Sequence, residues 1–295
     1  MPVPYKPTKK DGRAVAEDNE IKVLMALRHF GHLRKQEIGL AVWPYTTPKS
    51  AHVMTWRTVS RLLEKGLVLE RPNALGGQSL VLTSRAVTKL KELGVNAQDG
   101  YELSSDGPQF YHRTLGTCYL LEKAQTGNEV FGEYALLKGW GPVEKEFVRD
   151  KFKKVPDGLV VYSGEALGLR SDLRAADWLE VESAYKSYDD VSRALRILSR
   201  DSSLNKAGDV VLNKLVFVYD SRQNHEKQLA RYLRKFLKEN PNLSRELVLN
   251  EIVFARCYLD TPFKWHGTEE ISALEIIGTD FVTDNADDYA YDDIL

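Results

Sequence analysis

Five apolar segments with strand character, separated by amphipathic helical segments, occupy the second half of the 295-residue chain. Strands that alternate with helices can bury their apolar side chains only in a sheet with helices packed on it. We therefore expect an α/β (or α+β) domain with a mixed sheet. The strand segments are 129–134, 159–164, 177–183, 214–220 and 246–259, and the helical segments are 187–200 and 222–239.

The first third of the chain differs from the rest in charge. Residues 1–96 contain 16 Lys and Arg against 8 Asp and Glu, and the remainder contains 25 against 34, so balances of +8 and −9 underlie the net charge of −1. Such asymmetry indicates that one part meets a polyanion. No run of about 18 apolar residues is present, which predicts no membrane segment, and only 2 cysteines favour a reducing cytoplasm.

Three helical patterns and a hairpin follow one another in this basic part. Gly31 and Gly66 end two helices, and Gly76-Gly77 separates two alternating apolar segments, as is typical of a hairpin turn. The order resembles a winged helix-turn-helix domain of DNA-binding proteins, with a dimerisation module as the alternative. The predicted segments are a flexible arm at 1–16, then helices at 17–30, 34–42 and 48–65, a hairpin at 67–83 and a helix at 84–93, all within a domain of 17–95.

The resemblance to winged helices implies that the third helix enters the major groove of duplex DNA and that the hairpin contacts phosphate. The periodicity predicts that Val53, Trp56, Val59, Leu62 and Leu63 form the buried face of this helix. The opposite face, with two residues of the hairpin, is then expected to contact DNA. These expected contacts are Thr55, Arg57, Thr58, Arg61, Arg71 and Gln78.

Acidic residues stand at the ends of neighbouring strand segments in the second half. Asp157 follows Pro156 ahead of an apolar strand, and Glu180 and Glu182 share one face of a strand because side chains alternate. Two carboxylates about 4 Å apart repel by about 4 kcal/mol at an effective dielectric constant of about 20. Such a cluster needs either water or a cation, and oxygen ligands favour Mg²⁺ or Mn²⁺.

These acids resemble the motif of the PD-(D/E)xK restriction-endonuclease-like fold. The resemblance implies that Glu133, Asp157 and Glu180 bind the Mg²⁺ or Mn²⁺ ion. Glu182 occupies the position of the motif lysine, and Lys186 is expected to replace that lysine from the following helix. Because the lysine is displaced from the motif, a domain that binds DNA without cutting it is the alternative.

The larger arrangement resembles replication-relaxation proteins and MobC-type plasmid mobilization relaxases, with a linker at 96–110 and a nuclease-like domain at 111–275. It implies a metal-dependent endonuclease that nicks one strand of double-stranded DNA at a plasmid transfer origin in the bacterial cytoplasm, with His112 in the active site. A non-catalytic DNA-binding regulator of plasmid replication or transcription, and a restriction or defence nuclease, are the alternatives. Tyr185 is a hypothetical nucleophile beside the acids.

The last segment, 276–295, is acidic and contains six aspartates within its final 16 residues. Such a composition predicts disorder. The tail is expected to dock on accessory mobilization or secretion-coupling proteins, to imitate DNA, or only to keep the protein soluble.

Overall fold

The structure is a computed structural model that describes residues 11–278 except 102, 185, 200, 201, 224 and 261–263. Most of the predicted arm, the acidic tail beyond 278 and Tyr185 therefore lie outside the described residues. The described residues form a mixed α/β structure with two sheets. None of their helices combines the length and the apolar character needed to cross a membrane.

The N-terminal unit consists of helices packed around a small antiparallel sheet. Its elements are α1 (Gly12–Phe30), β1 (His32–Leu33), α2 (Lys35–Val42), α3 (Pro48–Glu64), β2 (Val68–Pro72), β3 (Gln78–Leu82) and α4 (Ser84–Glu92). The strands lie in the order β1-β3-β2, and both pairs are antiparallel. Helix α1 already begins at Gly12, so the end of the predicted arm is helical, and Gly31 ends the helix with a φ of 80°. The four predicted helices and the hairpin are present in the predicted order.

The predicted linker at 96–110 is held against the hairpin. The Arg71 Nη1 group on β2 donates hydrogen bonds to the carbonyl oxygens of Gly100, Tyr101 and Leu103 at 3.2, 3.0 and 2.8 Å. One guanidinium group thereby satisfies three backbone acceptors of a segment that lacks regular structure. Arg71 thus holds this segment in place, and its expected role as a phosphate contact stays a prediction.

The second unit is a six-stranded sheet with helices on both faces. Its elements are α5 (Gly107–Gln125), β4 (Glu129–Gly132), α6 (Glu133–Leu137), α7 (Lys145–Phe152), β5 (Gly158–Ser163), β6 (Arg174–Glu182), α8 (Tyr188–Leu195), β7 (Val210–Asp220), α9 (His225–Glu239), α10 (Arg245–Asn250), β8 (Ile252–Asp260), β9 (Lys264–Ser272) and α11 (Ala273–Ile277). The strands lie in chain order from β4 to β9. The pairs β6-β7 and β7-β8 are parallel and the others antiparallel, so the predicted mixed sheet is confirmed.

Two parts of this sheet differ from the sequence prediction. The apolar run 246–259 divides into α10 and β8, because a continuous apolar run does not by itself distinguish a helix from a strand. Strand β9 has no counterpart among the predicted strands. It is an edge strand with mostly exposed or half-buried side chains, so it lacks the apolar signal of a buried strand.

The sheet has one apolar core on each face. On one face, Leu159 and Trp178 belong to the core covered by α7 to α11. On the other face, Leu179 packs in a core that includes α5 and continues into the helices and strands of the N-terminal unit. The His32 ring, just after α1, stacks on Phe110 of α5 with 4.7 Å between ring centroids. The two units therefore share a core across the linker.

Candidate functional site

Ionisable side chains gather at one end of the sheet, where β5 begins and β6 ends. We call this group the polar edge, and it consists of His112, Asp157, Glu180, Glu182, Ser183 and Lys186. Strands β5 and β6 are antiparallel with Gly158 opposite Leu179, so the residue before β5 lies beside the end of β6. The spacing of the acids in the sequence thus becomes proximity in the fold.

Asp157 is fixed by the turn that leads into β5. Its N–H donates to the Leu179 carbonyl oxygen at 3.0 Å, and its Oδ2 accepts the Val181 N–H at 2.8 Å. Burial alone would raise the pKa of this carboxyl group, but the hydrogen bond and charge of His112 and the charge of Lys154 bring the pKa below its usual value. Asp157 is therefore a half-buried acceptor that stays ionised at neutral pH.

His112 lies in the first part of α5 between a carboxylate and a hydroxyl group. Its Nε2 is 3.4 Å from Asp157 Oδ2, and its Nδ1 is 3.2 Å from Ser183 Oγ. The sequence placed His112 near the acids only through the family resemblance, and the structure brings it to Asp157. The sequence analysis missed Ser183, although the alternation that turns Val181 toward α5 also turns Ser183 to that side.

Glu133, the first residue of α6, lies in a cleft beside His112. Arg113 Nε donates to Glu133 Oε2 at 2.7 Å, and both side chains line the cleft together with His112 and Asp157. Tyr134 also borders it, so the cleft lies between α5, α6 and the end of the sheet. Glu133 therefore shares a cleft with Asp157, but an arginine already compensates its charge.

Glu180 points to the opposite face of the sheet. It lies on β6 two residues after Trp178, whose Nε1 donates to Glu180 Oε1 at 2.8 Å. Lys154 forms an ion pair with the other oxygen, Oε2. Burial raises the pKa of Glu180, and the charge of Lys154 opposes that rise. Both carboxylate oxygens thus have a partner inside the protein.

Glu182 is also buried, and Lys186 compensates it. Lys186 Nζ is 2.9 Å from Glu182 Oε1 and 3.2 Å from the Val181 carbonyl oxygen. Burial raises the pKa of Glu182 to about 7 even though Lys186 lowers it. Glu180 and Glu182 share one face of β6, as the alternation of the strand predicted.

The three expected metal ligands do not form one ligand set in this arrangement. Glu133 and Asp157 line the cleft beside α5, whereas Glu180 lies on the other face beside Trp178. Across the described residues, no group of three or more His, Cys, Asp and Glu side chains is placed to hold a metal ion. The donors are therefore not assembled for Mg²⁺ or Mn²⁺, and binding of these ions stays a prediction.

A second polar group continues the edge at the end of β7. The Tyr111 hydroxyl group, one residue before His112, donates to Asp220 Oδ2 at 2.5 Å. Arg222 forms an ion pair with the same carboxylate at 2.6 Å. These residues carry no motif in the sequence. The parallel pairing of β6 and β7 places Asp220, at the end of β7, beside the end of β6.

The outward side of α3 differs from the prediction. Thr55 and Thr58, expected to contact DNA, are 1% and 2% exposed, whereas Val53 and Trp56, expected in the core, are 38% and 48% exposed. Thr55 Oγ1 donates to the carbonyl oxygen of Ala51 at 2.8 Å, which satisfies the buried hydroxyl group. The expected roles of Thr55 and Thr58 as DNA contacts are therefore wrong.

The other expected DNA contacts divide into two groups. Arg61 is half-buried and forms an ion pair with buried Glu20 at 3.1 Å, so it contributes to the packing of α3 on α1. Arg57 on α3 and Gln78 at the start of β3 are exposed, as expected. We call the exposed side of α3 its outer face, and it consists of Lys49, His52, Val53, Trp56 and Arg57.

Comparisons with known proteins do not identify relatives. No family model, no curated protein and no solved structure matches this chain. The resemblance to mobilization relaxases therefore stays a prediction.

Proposed function

We propose that the protein binds double-stranded DNA through the N-terminal unit, with α3 entering the major groove as the helix of a winged helix-turn-helix. The element order α1-β1-α2-α3-β2-β3 and the three-stranded antiparallel sheet support this proposal. The observation that carries it is the outer face of α3, where the exposed basic side chain of Lys49 lies in the first turn and that of Arg57 lies in the middle of the helix. In helix-turn-helix proteins the N-terminal residues of this helix contact the base edges.

The chemistry of the outer face suits the major groove. Lys49 and Arg57 can donate to phosphate oxygens or to guanine, and an apolar contact with Val53 suits a thymine methyl group. Trp56 is kept in place by Lys35, whose Nζ lies 4.1 Å from the centre of the ring. In turn, Lys35 is paired with Glu70 of β2 at 2.7 Å. Through Glu70 and Lys35, the hairpin thus supports the outer face of α3.

A binding measurement tests this function. We expect Arg57→Ala to weaken the affinity for a mixed-sequence duplex about tenfold or more, because one base or phosphate contact is worth about 1–3 kcal/mol. It should also reduce the steepness of the salt dependence, since fewer counterions are released. The matched control is Arg149→Ala, which removes an exposed arginine from α7. Equal affinities of the two variants and the wild type, measured by fluorescence anisotropy, would contradict the proposal.

A second candidate function is cleavage of one DNA strand, the activity of plasmid mobilization relaxases. The cleft that brings together His112, Arg113, Glu133 and Asp157 favours it, because ionisable groups that converge in a cleft are typical of active sites. The resemblance implies Mg²⁺ or Mn²⁺ for this activity. Since the acids do not form one ligand set, we derive no step through a metal.

Nicking of supercoiled plasmid with Mg²⁺, Mn²⁺ or EDTA distinguishes the two functions. We expect the wild type to produce open circles, and Asp157→Asn to lose this activity while it still binds duplex DNA. Asp172→Asn, which changes an exposed aspartate, is the control. No open circles under any metal would leave a DNA-binding regulator of plasmid replication or transcription. Linear product without origin preference would favour a defence nuclease.

A further inference from the structure

We propose that Ser183, His112 and Asp157 form a nucleophilic site in which the Ser183 hydroxyl group attacks a phosphodiester of bound DNA. For its substrate, this site depends on the DNA-binding function proposed above. For its chemistry, it depends only on three side chains of the polar edge.

The three side chains have the order that activates a nucleophile. A hydroxyl group, a ring that can accept its proton, and a third group that orients the ring are the parts of such a site. Ser183 Oγ lies 3.2 Å from His112 Nδ1, and Asp157 Oδ2 lies 3.4 Å from His112 Nε2. The two ring nitrogens therefore have different partners on opposite sides of the ring.

The partner of each nitrogen decides which one carries the proton. Asp157 is ionised and can only accept, so it favours the tautomer with the proton on Nε2 of His112. Nδ1 is then the acceptor for the hydroxyl proton of Ser183. Asp157 is itself fixed by the Val181 N–H at 2.8 Å, so the ring is oriented by a group that cannot easily rotate.

The neighbouring serine shows what a structural serine looks like here. Ser187 Oγ donates to Asp190 Oδ2 at 2.7 Å and accepts the Asp190 N–H at 3.3 Å, so it caps α8. Ser183 follows the last residue of β6 and has an imidazole as its partner. It is half-buried, and the other two members of the site, His112 and Asp157, line the cleft beside Arg113.

The reaction balances without another reactant. A bond forms between Ser183 Oγ and phosphorus while the bond between phosphorus and the leaving deoxyribose oxygen breaks. The hydroxyl proton passes to His112 Nδ1 and then to the leaving oxygen. One end of the cut strand remains linked to Ser183 as a phosphodiester, and the other end of the same strand carries a free hydroxyl group. Because one phosphodiester replaces another, the step can run backwards and reseal the strand.

A fluorophosphonate probe tests the nucleophile on the full chain without DNA. We expect the probe to label Ser183, as located by peptide mass spectrometry, and Ser183→Ala to remove this label. His112→Gln should slow the labelling about 100-fold, the low end of what a general base contributes. Ser199→Ala, which changes an exposed serine after α8, should label like the wild type. Absence of label on Ser183 in the folded wild type, or an equal rate in His112→Gln, overturns the proposal.

A cysteine in place of the serine gives a second measurement. We expect Ser183→Cys to react with iodoacetamide faster than the double variant Ser183→Cys/His112→Gln, with circular dichroism as the check that both are folded. Cys118 and Cys257 are buried and should react slowly in both. Equal rates at position 183 contradict activation by His112. Neither measurement uses DNA, so a failure here leaves DNA binding by α3 standing, and a failure of DNA binding leaves the labelling result standing.

Discussion

The outer face of α3 and the polar edge use charged side chains in opposite ways. On α3, Lys49 and Arg57 are exposed to solvent, where they can exchange counterions for phosphate. At the polar edge, Glu180 and Glu182 are buried beside Lys154 and Lys186. Charges of the first kind are accessible to a partner such as the proposed DNA duplex. Charges of the second kind hold the protein's own groups in position.

The difference also resolves the repulsion expected from the clustered acids. The sequence predicts that carboxylates on one strand face need water or a cation, and it does not say which. In the structure each cation is a side chain, because Arg113, Lys154 and Lys186 each pair with a different glutamate. Buried pairs of this kind are costly to break, whereas exposed pairs are not.

The largest effect is expected from Lys154→Met. This substitution leaves Glu180, which is 0% exposed, without its cation, and breaking a buried pair in this way costs about 3–5 kcal/mol. Urea unfolding should therefore show a lower free energy of unfolding. The double variant Lys154→Met/Glu180→Leu should recover much of the loss, because it removes the uncompensated charge as well.

An exposed pair provides the control for this buried one. Arg170 and Asp172 lie 2.5 Å apart with side chains 75% and 64% exposed. Because water screens such a pair, Arg170→Met should leave the unfolding curve unchanged. If Lys154→Met also left it unchanged, the contrast between the two regions would fail.

A smaller effect is expected from the buried ring of His32, between α1 and α5. At pH 5 it should lower the free energy of unfolding by about 2 kcal/mol. Burial lowers the pKa of His32 to about 3 from 6.5, and its Nδ1 has no partner. The unfolded chain therefore takes up a proton near pH 6.5 while the folded protein does not, so stability falls as the pH drops below about 6.5. His32→Phe should flatten the pH dependence of the unfolding midpoint between pH 7 and 5.

Glu182 at the polar edge should have the opposite sign. Burial raises its pKa to about 7 from 4.5, so the folded protein holds a proton that the unfolded chain releases. This contribution increases stability as the pH falls from about 7 to 4.5. Glu182→Gln should therefore make the loss of stability in acid steeper. If Glu182→Gln and His32→Phe changed the slope in the same direction, at least one of these two assignments would be wrong.

Much of the fold follows from sequence patterns, and the departures have local causes. The hairpin at Gly76-Gly77 and the central strands are found because turn residues and apolar runs report directly on backbone structure. The buried face of α3 differs from the predicted one, because counting apolar residues assigns Trp56 to the core. Thr55 can be buried instead, since its hydroxyl group bonds to its own helix.

The candidate site is predictable to a similar extent. Asp157, Glu180 and Glu182 reach the same end of the sheet because β5 and β6 pair as antiparallel near neighbours in sequence, and Glu180 and Glu182 share a face because side chains alternate. Ser183 and Tyr111 lack such a signal, since their partners lie 71 and 109 residues away. The cationic partners are also hard to foresee, because long lysine side chains reach a carboxylate from several backbone positions.

The joint between the two units has a consequence for how DNA would be handled. Arg71 fastens the linker, and one core runs from α1 through α5 to the sheet. A protein joined by a loose tether could cut at a range of distances from the sequence it binds. Here the distance between α3 and the cleft is set by the fold. If the protein cuts DNA, we therefore expect the cut at one constant distance from the sequence that α3 binds.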